Sequence, residues 1–110
     1  MRGVSEFTVG YALVTYHDNS GSKTRPVVVV KLNGEKITFY KITSQFENKS
    51  EYIKSKYYEI KDWLRAGLTK PSWVDTIQSI TVNENEIEIR VVGRFSNRDI
   101  LGLREFLTSR

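Results

Sequence analysis

The sequence predicts a small, mainly β domain: five or six short strands forming a partly closed barrel or rolled sheet, with one C-terminal helix over its open side. Three observations lead there. Runs rich in β-branched and aromatic residues recur along the 110 residues with turn formers between them. The strongest turn signal, Asn33-Gly34, separates two such runs. Apolar residues at helical spacing close the chain, at Ile100, Leu103 and Leu107.

The elements follow in order. Phe7 to Tyr16 reads as a first strand interrupted at Gly10, a mark of a bulge or a close backbone approach. His17 to Thr24 is a polar loop of turn-forming residues leading into Arg25 and Pro26. Val27 to Leu32 is a buried strand, and Asn33-Gly34 turns it back into Ile37 to Ile42, because a two-residue hairpin turn calls for positive φ at its centre. Thr43 to Lys56 is polar without clear periodicity and reads as a long loop, and Tyr57 to Ile60 adds a short strand. Asp62 to Leu68 permits a helical turn ending at Gly67, after which Pro71 restarts an extended chain. Ile80 and Val82, then Ile87, Ile89 and Val91 alternating with charged residues, suggest a second hairpin around Asn83 to Asn85 with one wet face. Ser96 with Asp99 three residues on is a capping-box-like helix start, despite Gly102 inside the helix that follows.

Composition bounds the chemistry. With 39% apolar and 27% charged residues, residues 1–110 read as one domain, residues 1–6 being a flexible extension. The absence of Cys removes disulfides and thiolate metal sites, and a single His is too few for a histidine-rich zinc site. Carboxylate-bound magnesium stays open. Apolar runs such as Val27 to Val30 fall far short of a membrane span, and no secretory pattern opens the chain, so a cytoplasmic location is expected. The 17 basic residues against 13 acidic ones are unevenly placed: residues 23–70 hold 11 Lys or Arg and 5 acids. Aromatic residues are interleaved there, among them Tyr40, Phe46, Tyr52, Tyr57, Tyr58 and Trp63. Such a segment suits a single strand of nucleic acid, whose phosphates need cations and whose bases stack on rings. From charge alone, a solvated surface over ordinary core aromatics is the plainer reading.

Motif order sharpens this. The run Gly21-Ser22-Lys23-Thr24-Arg25-Pro26-Val27-Val28-Val29-Val30 is followed by Ile42-Thr43-Ser44, then Gly67-Leu68-Thr69-Lys70-Pro71-Ser72, then Gly93-Arg94-Phe95-Ser96 before the helix. In that order, from about Val9 to Leu107, the chain resembles the MazF/PemK family of toxin endoribonucleases. The resemblance implies an SH3-like barrel, a homodimer and cleavage of single-stranded RNA with no metal or other cofactor. It further implies an antitoxin partner whose acidic flexible tail occupies the RNA groove. It assigns the site to Arg25 and Thr43, with Ser44 adjacent. One departure is visible. Many members carry a longer loop before the Arg-Pro with a Glu or Gln in it, which leaves the general base open here.

RNA supplies its own nucleophile, the 2′-hydroxyl, so the protein must position it, accept its proton, protonate the leaving 5′-oxygen and stabilise a dianionic phosphorane. Arg25 fits the last task, because a planar guanidinium holds two phosphate oxygens and stays cationic. The alternative is an ordinary surface ion pair. Thr43 can donate its hydroxyl to the same phosphate, or bond its own backbone instead. His17 is the one side chain whose ordinary pKa lies near neutrality, and Asp75 competes with it as base; a strand-end histidine and a turn aspartate are their plain readings. Lys23, Thr24, Ser44, Lys70 and Ser72 are candidate substrate contacts, and Phe46, Tyr52 and Trp73 candidate stacking rings or core residues. Two rivals remain at this level: a non-catalytic barrel binding RNA or an acidic peptide, and a structural homodimer with incidental charge.

Overall fold

The computed structural model describes residues 3–14 and 24–109. Six strands and two helices occur in the order β1 (Thr8–Val14), β2 (Arg25–Asn33), β3 (Lys36–Thr43), α1 (Glu51–Ser55), β4 (Tyr57–Glu59), β5 (Trp73–Asn83), β6 (Ile87–Arg94) and α2 (Asn97–Thr108). The strands form one antiparallel sheet ordered β4-β5-β3-β2-β1-β6, which curls without closing. The mainly β architecture with a C-terminal helix is therefore as expected.

The valine run explains the layering. Val27, Val28 and Val29 are consecutive and all buried, so β2 is covered on both faces. Val28 joins Val9, Ile42, Tyr58, Val74, Ile100 and Leu103 in a first cluster between the sheet and α2. Val27 and Val29 join Ala12, Ile37, Phe39, Val82 and Ile87 in a second cluster inside the curl. Strand alternation sends neighbouring residues to opposite faces, so these memberships fix which way every nearby side chain points.

Several expectations change. Of the expected extension, residues 3–6 are described and are docked: Val4 is buried in the second cluster, and the Phe7 N–H donates to the Val29 carbonyl at 2.6 Å. Phe7 itself has φ +68 and stacks on Phe95 at 6.4 Å. The loop expected over 17–24 lies outside the described residues save Thr24, which is exposed. Asn33 pairs with Lys36, so the hairpin turn is Gly34-Glu35, one residue later than expected. Only Gly34, at φ +62, needs the left-handed region. The expected long loop holds the five-residue helix α1, whose start is capped by Ser50 accepting from the Ile53 N–H at 3.2 Å.

The second hairpin is absent. β5 pairs with β3 and β4, whereas β6 pairs with β1. A 3-10 turn over Glu84–Glu86 carries the chain across the end of the curl, where the Glu84 N–H donates to the Glu35 carbonyl at 2.7 Å. The first strand does kink as Gly10 suggests: its register with β6 slips between Val9 and Gly10, and a Cβ on Gly10 would lie 2.7 Å from the Arg90 carbonyl oxygen. That slip leaves Val92 without a register partner in β1, and Val91, opposite Gly10 on the face of Ile87 and Ile89, is exposed.

Local helix signals hold up better. Gly67, at φ +92, ends the 62–68 turn as its N–H donates to the Leu64 carbonyl and the Leu68 N–H to the Trp63 carbonyl, the paired bonds of a Schellman motif. Ser96 caps α2 by accepting from the Asp99 N–H at 3.2 Å. The Asp99 carboxylate, however, does more than mark a helix start. Fully buried, it accepts from the Tyr58 hydroxyl at 2.7 Å and from the Lys61 and Asp62 N–H groups at 2.8 Å each. Ser96 donates in turn to Asp62, which also holds Arg98 at 2.8 Å. One acid thus fastens α2 to the turn after β4.

Candidate nucleic-acid interface

Three strand ends meet at the mouth of the curl: the start of β2, the end of β3 and the start of β5. Val27 pairs with Lys41, and the same register carried two residues further sets Arg25 opposite Thr43. On the far side of β3, Lys41 pairs with Asp75 and Thr43 with Trp73. Because Val27 and Phe39 face the second cluster, alternation puts Arg25, Lys41, Thr43, Trp73 and Asp75 on that same face. Directly opposite residues of an antiparallel pair have Cβ atoms about 5 Å apart, close enough for two side chains to share one phosphate.

The groups there are differently committed. Arg25 and Lys41 are exposed and, among the described residues, have no carboxylate within ion-pair distance. The Thr43 Oγ1 accepts from the Gln45 N–H at 3.0 Å, the local bond its type favours, which still leaves its own proton to donate. Asp75 is half-buried, and its Oδ1 accepts from the Ile77 N–H at 3.0 Å. Opposite it, burial and then the Asp75 charge push the Tyr57 hydroxyl above its usual range, so Tyr57 stays protonated and is no base at neutral pH. Phe46 stacks on Trp73 at 4.6 Å with planes 9° apart, while Lys54 lies 5.2 Å over the Phe46 ring. Phe46 and Trp73, both half-buried, thus stack on each other, whereas Tyr52 is exposed with Lys56 over its ring. Lys41 was missed by motif reading. Its signal was alternation: it lies two residues before Thr43, hence on one face with it.

On the opposite face of β2 the motif segments meet again. A concavity of about 220 Å³ is lined by Tyr11, Pro26, Ser44, Leu68, Lys70 and Ser72, which joins the Arg-Pro, Ile-Thr-Ser and Gly-Leu-Thr-Lys-Pro-Ser elements. Buried Ser72 donates to the Lys70 carbonyl at 2.8 Å and fixes that rim. The fourth element, Gly93 to Ser96, joins the end of β6 to the N-cap of α2 and serves the docking of that helix. His17 and Lys23 fall outside the described residues. A larger depression of about 670 Å³ lies against α2, but its cations Lys61 and Arg98 are engaged with Glu59 and Asp62, and Glu105 adds a negative charge to its lining. Among the described residues no cluster of three or more acidic, His or Cys side chains is arranged to hold a metal ion, and no helix is long and apolar enough to cross a membrane.

No protein-family model and no curated protein sequence matches the chain. Among solved structures, the Mycobacterium tuberculosis toxin MazF-mt6 superposes with a TM-score of 0.67 over 93% of each chain, at 17% identity. Identity that low carries the likeness of fold and no more, and the likeness extends over nearly the whole molecule. The open six-stranded antiparallel sheet with its terminal helix is the fold of a MazF toxin.

Proposed function

We propose that this chain is the toxin of a toxin-antitoxin pair and cleaves single-stranded RNA without a metal ion, acting in the cytoplasm as a homodimer. The observation that carries the reading is the sheet register that brings Arg25, Thr43 and Lys41 to one face beside Asp75. In the reaction the 2′-oxygen loses its proton to a protein base and bonds to phosphorus. The bond from phosphorus to the 5′-oxygen breaks, and that oxygen takes up a proton. The products are a 2′,3′-cyclic phosphate and a 5′-hydroxyl. Arg25 holds the nonbridging oxygens as negative charge grows on them, with Lys41 beside it and the Thr43 hydroxyl donating to the same group. Asp75 and His17 are the candidate bases. Ser44, Lys70, Ser72, Thr24 and Lys23 lie in the elements assigned to the neighbouring nucleotides. The exposed cations of this face, with no carboxylate in ion-pair distance among the described residues, also suit the acidic tail of an antitoxin.

Incubation of the purified protein with RNA in excess EDTA tests this. Wild type is expected to leave cyclic phosphate and 5′-hydroxyl ends, and Arg25→Ala to cut at least ~10²-fold more slowly, the loss typical of removing a preorganised donor. Absence of cleavage, or equal cleavage by Arg25→Ala, would overturn the proposal, and retention of RNA without cutting would point to a non-catalytic binding barrel.

A further inference from the structure

Phe46 lies between β3 and α1, shortly after Thr43, and its ring returns to the sheet on the face that carries Arg25, Thr43 and Asp75. The two rings it meets are the register partners of two of those residues. Trp73, opposite Thr43, stacks on it at 4.6 Å with planes 9° apart, and Tyr57, opposite Asp75, lies 6.4 Å away at 44°. From α1 the Lys54 ammonium lies 5.2 Å from the Phe46 centroid, and that side chain is only 22% exposed although it is charged. Glu47 at 3.8 Å and Glu51 at 3.9 Å balance it, so Lys54 is engaged within this segment. With Trp73 on its face and Lys54 over it, the Phe46 ring is used inside the protein rather than offered to a base.

What the stack restrains is the turn that leaves β3. The Gln45 N–H donates to the Thr43 Oγ1 at 3.0 Å, which fixes the threonine rotamer and leaves its hydroxyl proton to donate elsewhere. Gln45 is exposed, and a lone hydrogen bond in contact with water holds a turn weakly. The next residue is Phe46, whose carbonyl accepts from the Lys49 N–H at 3.0 Å, so both its backbone and its ring are tied down. We propose that Phe46 is a positioning residue: stacked on Trp73, it keeps the Thr43–Gln45 turn closed and so holds the Thr43 hydroxyl in one orientation toward the phosphate bound by Arg25. The proposal rests on the RNA-cleaving reading for what Thr43 does, whereas the restraint on the turn is measurable without RNA.

The first measurement is hydrogen exchange of the Gln45 amide by NMR, which reports opening of the turn. A stacked aromatic pair corresponds to roughly 2-fold to 13-fold in an equilibrium. Phe46→Ala should therefore exchange Gln45 at least about 2-fold faster, with core amides such as that of Val28 unchanged, and Phe46→Tyr should restore protection. The second is cleavage kinetics. Phe46→Ala should lower kcat at least about 5-fold and leave KM within about 2-fold of wild type, because a donor to the phosphorane acts in the transition state. In a Thr43→Val background the same change should cost less than about 2-fold, since the hydroxyl it acts through is already gone. If Phe46→Ala does not fold, Lys54→Met, which keeps the stem and removes the charge over the ring, should quicken Gln45 exchange in the same direction.

Unchanged Gln45 exchange overturns the restraint. A raised KM with kcat intact overturns the proposal in favour of a ring that stacks substrate, and an equal loss in the Thr43→Val background overturns the route through threonine. If wild type cuts no RNA while Phe46→Ala still quickens Gln45 exchange, the restraint stands, and the nuclease reading falls together with the catalytic use of the turn.

Discussion

Replacing Asp99 by Ala tests whether one carboxylate holds α2 to the sheet. It removes acceptors from three donors at once, the Tyr58 hydroxyl at 2.7 Å and the Lys61 and Asp62 N–H groups at 2.8 Å. Bonds to a carboxylate are worth about 1.5–3 kcal/mol each, but Lys61 is exposed and Asp62 half-buried, so their N–H groups recover some hydration. The expected loss is about 3–4 kcal/mol, a large share of the roughly 5–15 kcal/mol that holds a domain folded. Asp99→Asn separates hydrogen bonding from packing. One Asp99 oxygen serves Tyr58 and Lys61 while the other serves Asp62, so an amide keeps the first pair and sets its NH₂ against the Asp62 N–H. About half the alanine loss should follow. Urea unfolding provides the measurement, with a lower midpoint and an unchanged slope expected. An alanine variant within about 1 kcal/mol of wild type would refute the account. Because Asp99 lies on the α2 side, cleavage per folded molecule should be unaffected below the unfolding transition.

Three further outcomes are expected. Gly102→Ala, which stabilises an ordinary helix by roughly 0.5–1 kcal/mol, should instead lower the melting temperature, since its Cβ falls on the Tyr58 hydroxyl that Asp99 fixes; adding Tyr58→Phe should recover part of the loss. The bonds from Arg98 and then Ser96 hold the Asp62 carboxyl below the usual carboxylate range. Its contribution is therefore complete above the unfolded-state pKa and lost as pH falls through the lower folded one, so Arg98→Gln should flatten the acid limb of a stability profile and raise the Asp62 titration midpoint seen by NMR. For the base, Asp75→Asn and His17→Ala are compared in pH–rate profiles. The variant that loses the lower-pH limb along with at least ~10² in rate identifies the proton acceptor, and two wild-type profiles would place it elsewhere.

Much of the local structure was legible because its causes are local. A valine run between a polar loop and a Gly turn is a buried strand, Gly10 marks a slip in register, Gly67 ends a helical turn and Ser96 opens a helix. The helix α1 was missed because five residues offer too short a window for periodicity, although Ser50 before Glu51 was a capping signal. The turn at Gly34-Glu35 moved by one residue because the pairing of Leu32 with Ile37 sets the register, and a single positive φ satisfies the loop. Of the candidate site, Arg25 and Thr43 were named from motifs and stand at the ends of neighbouring strands, while Lys41 carried no motif.

What the sequence by itself determined was the identity of the strands, the final helix and the residue types able to hold a phosphate, because propensity, capping and alternation act over a few neighbours. Tertiary structure decided that β5 joins β3, that β6 crosses to β1, and that Asp99 leaves its helix end to fasten Tyr58. Those choices come from burying both faces of β2 at once, a demand that no window of neighbouring residues contains.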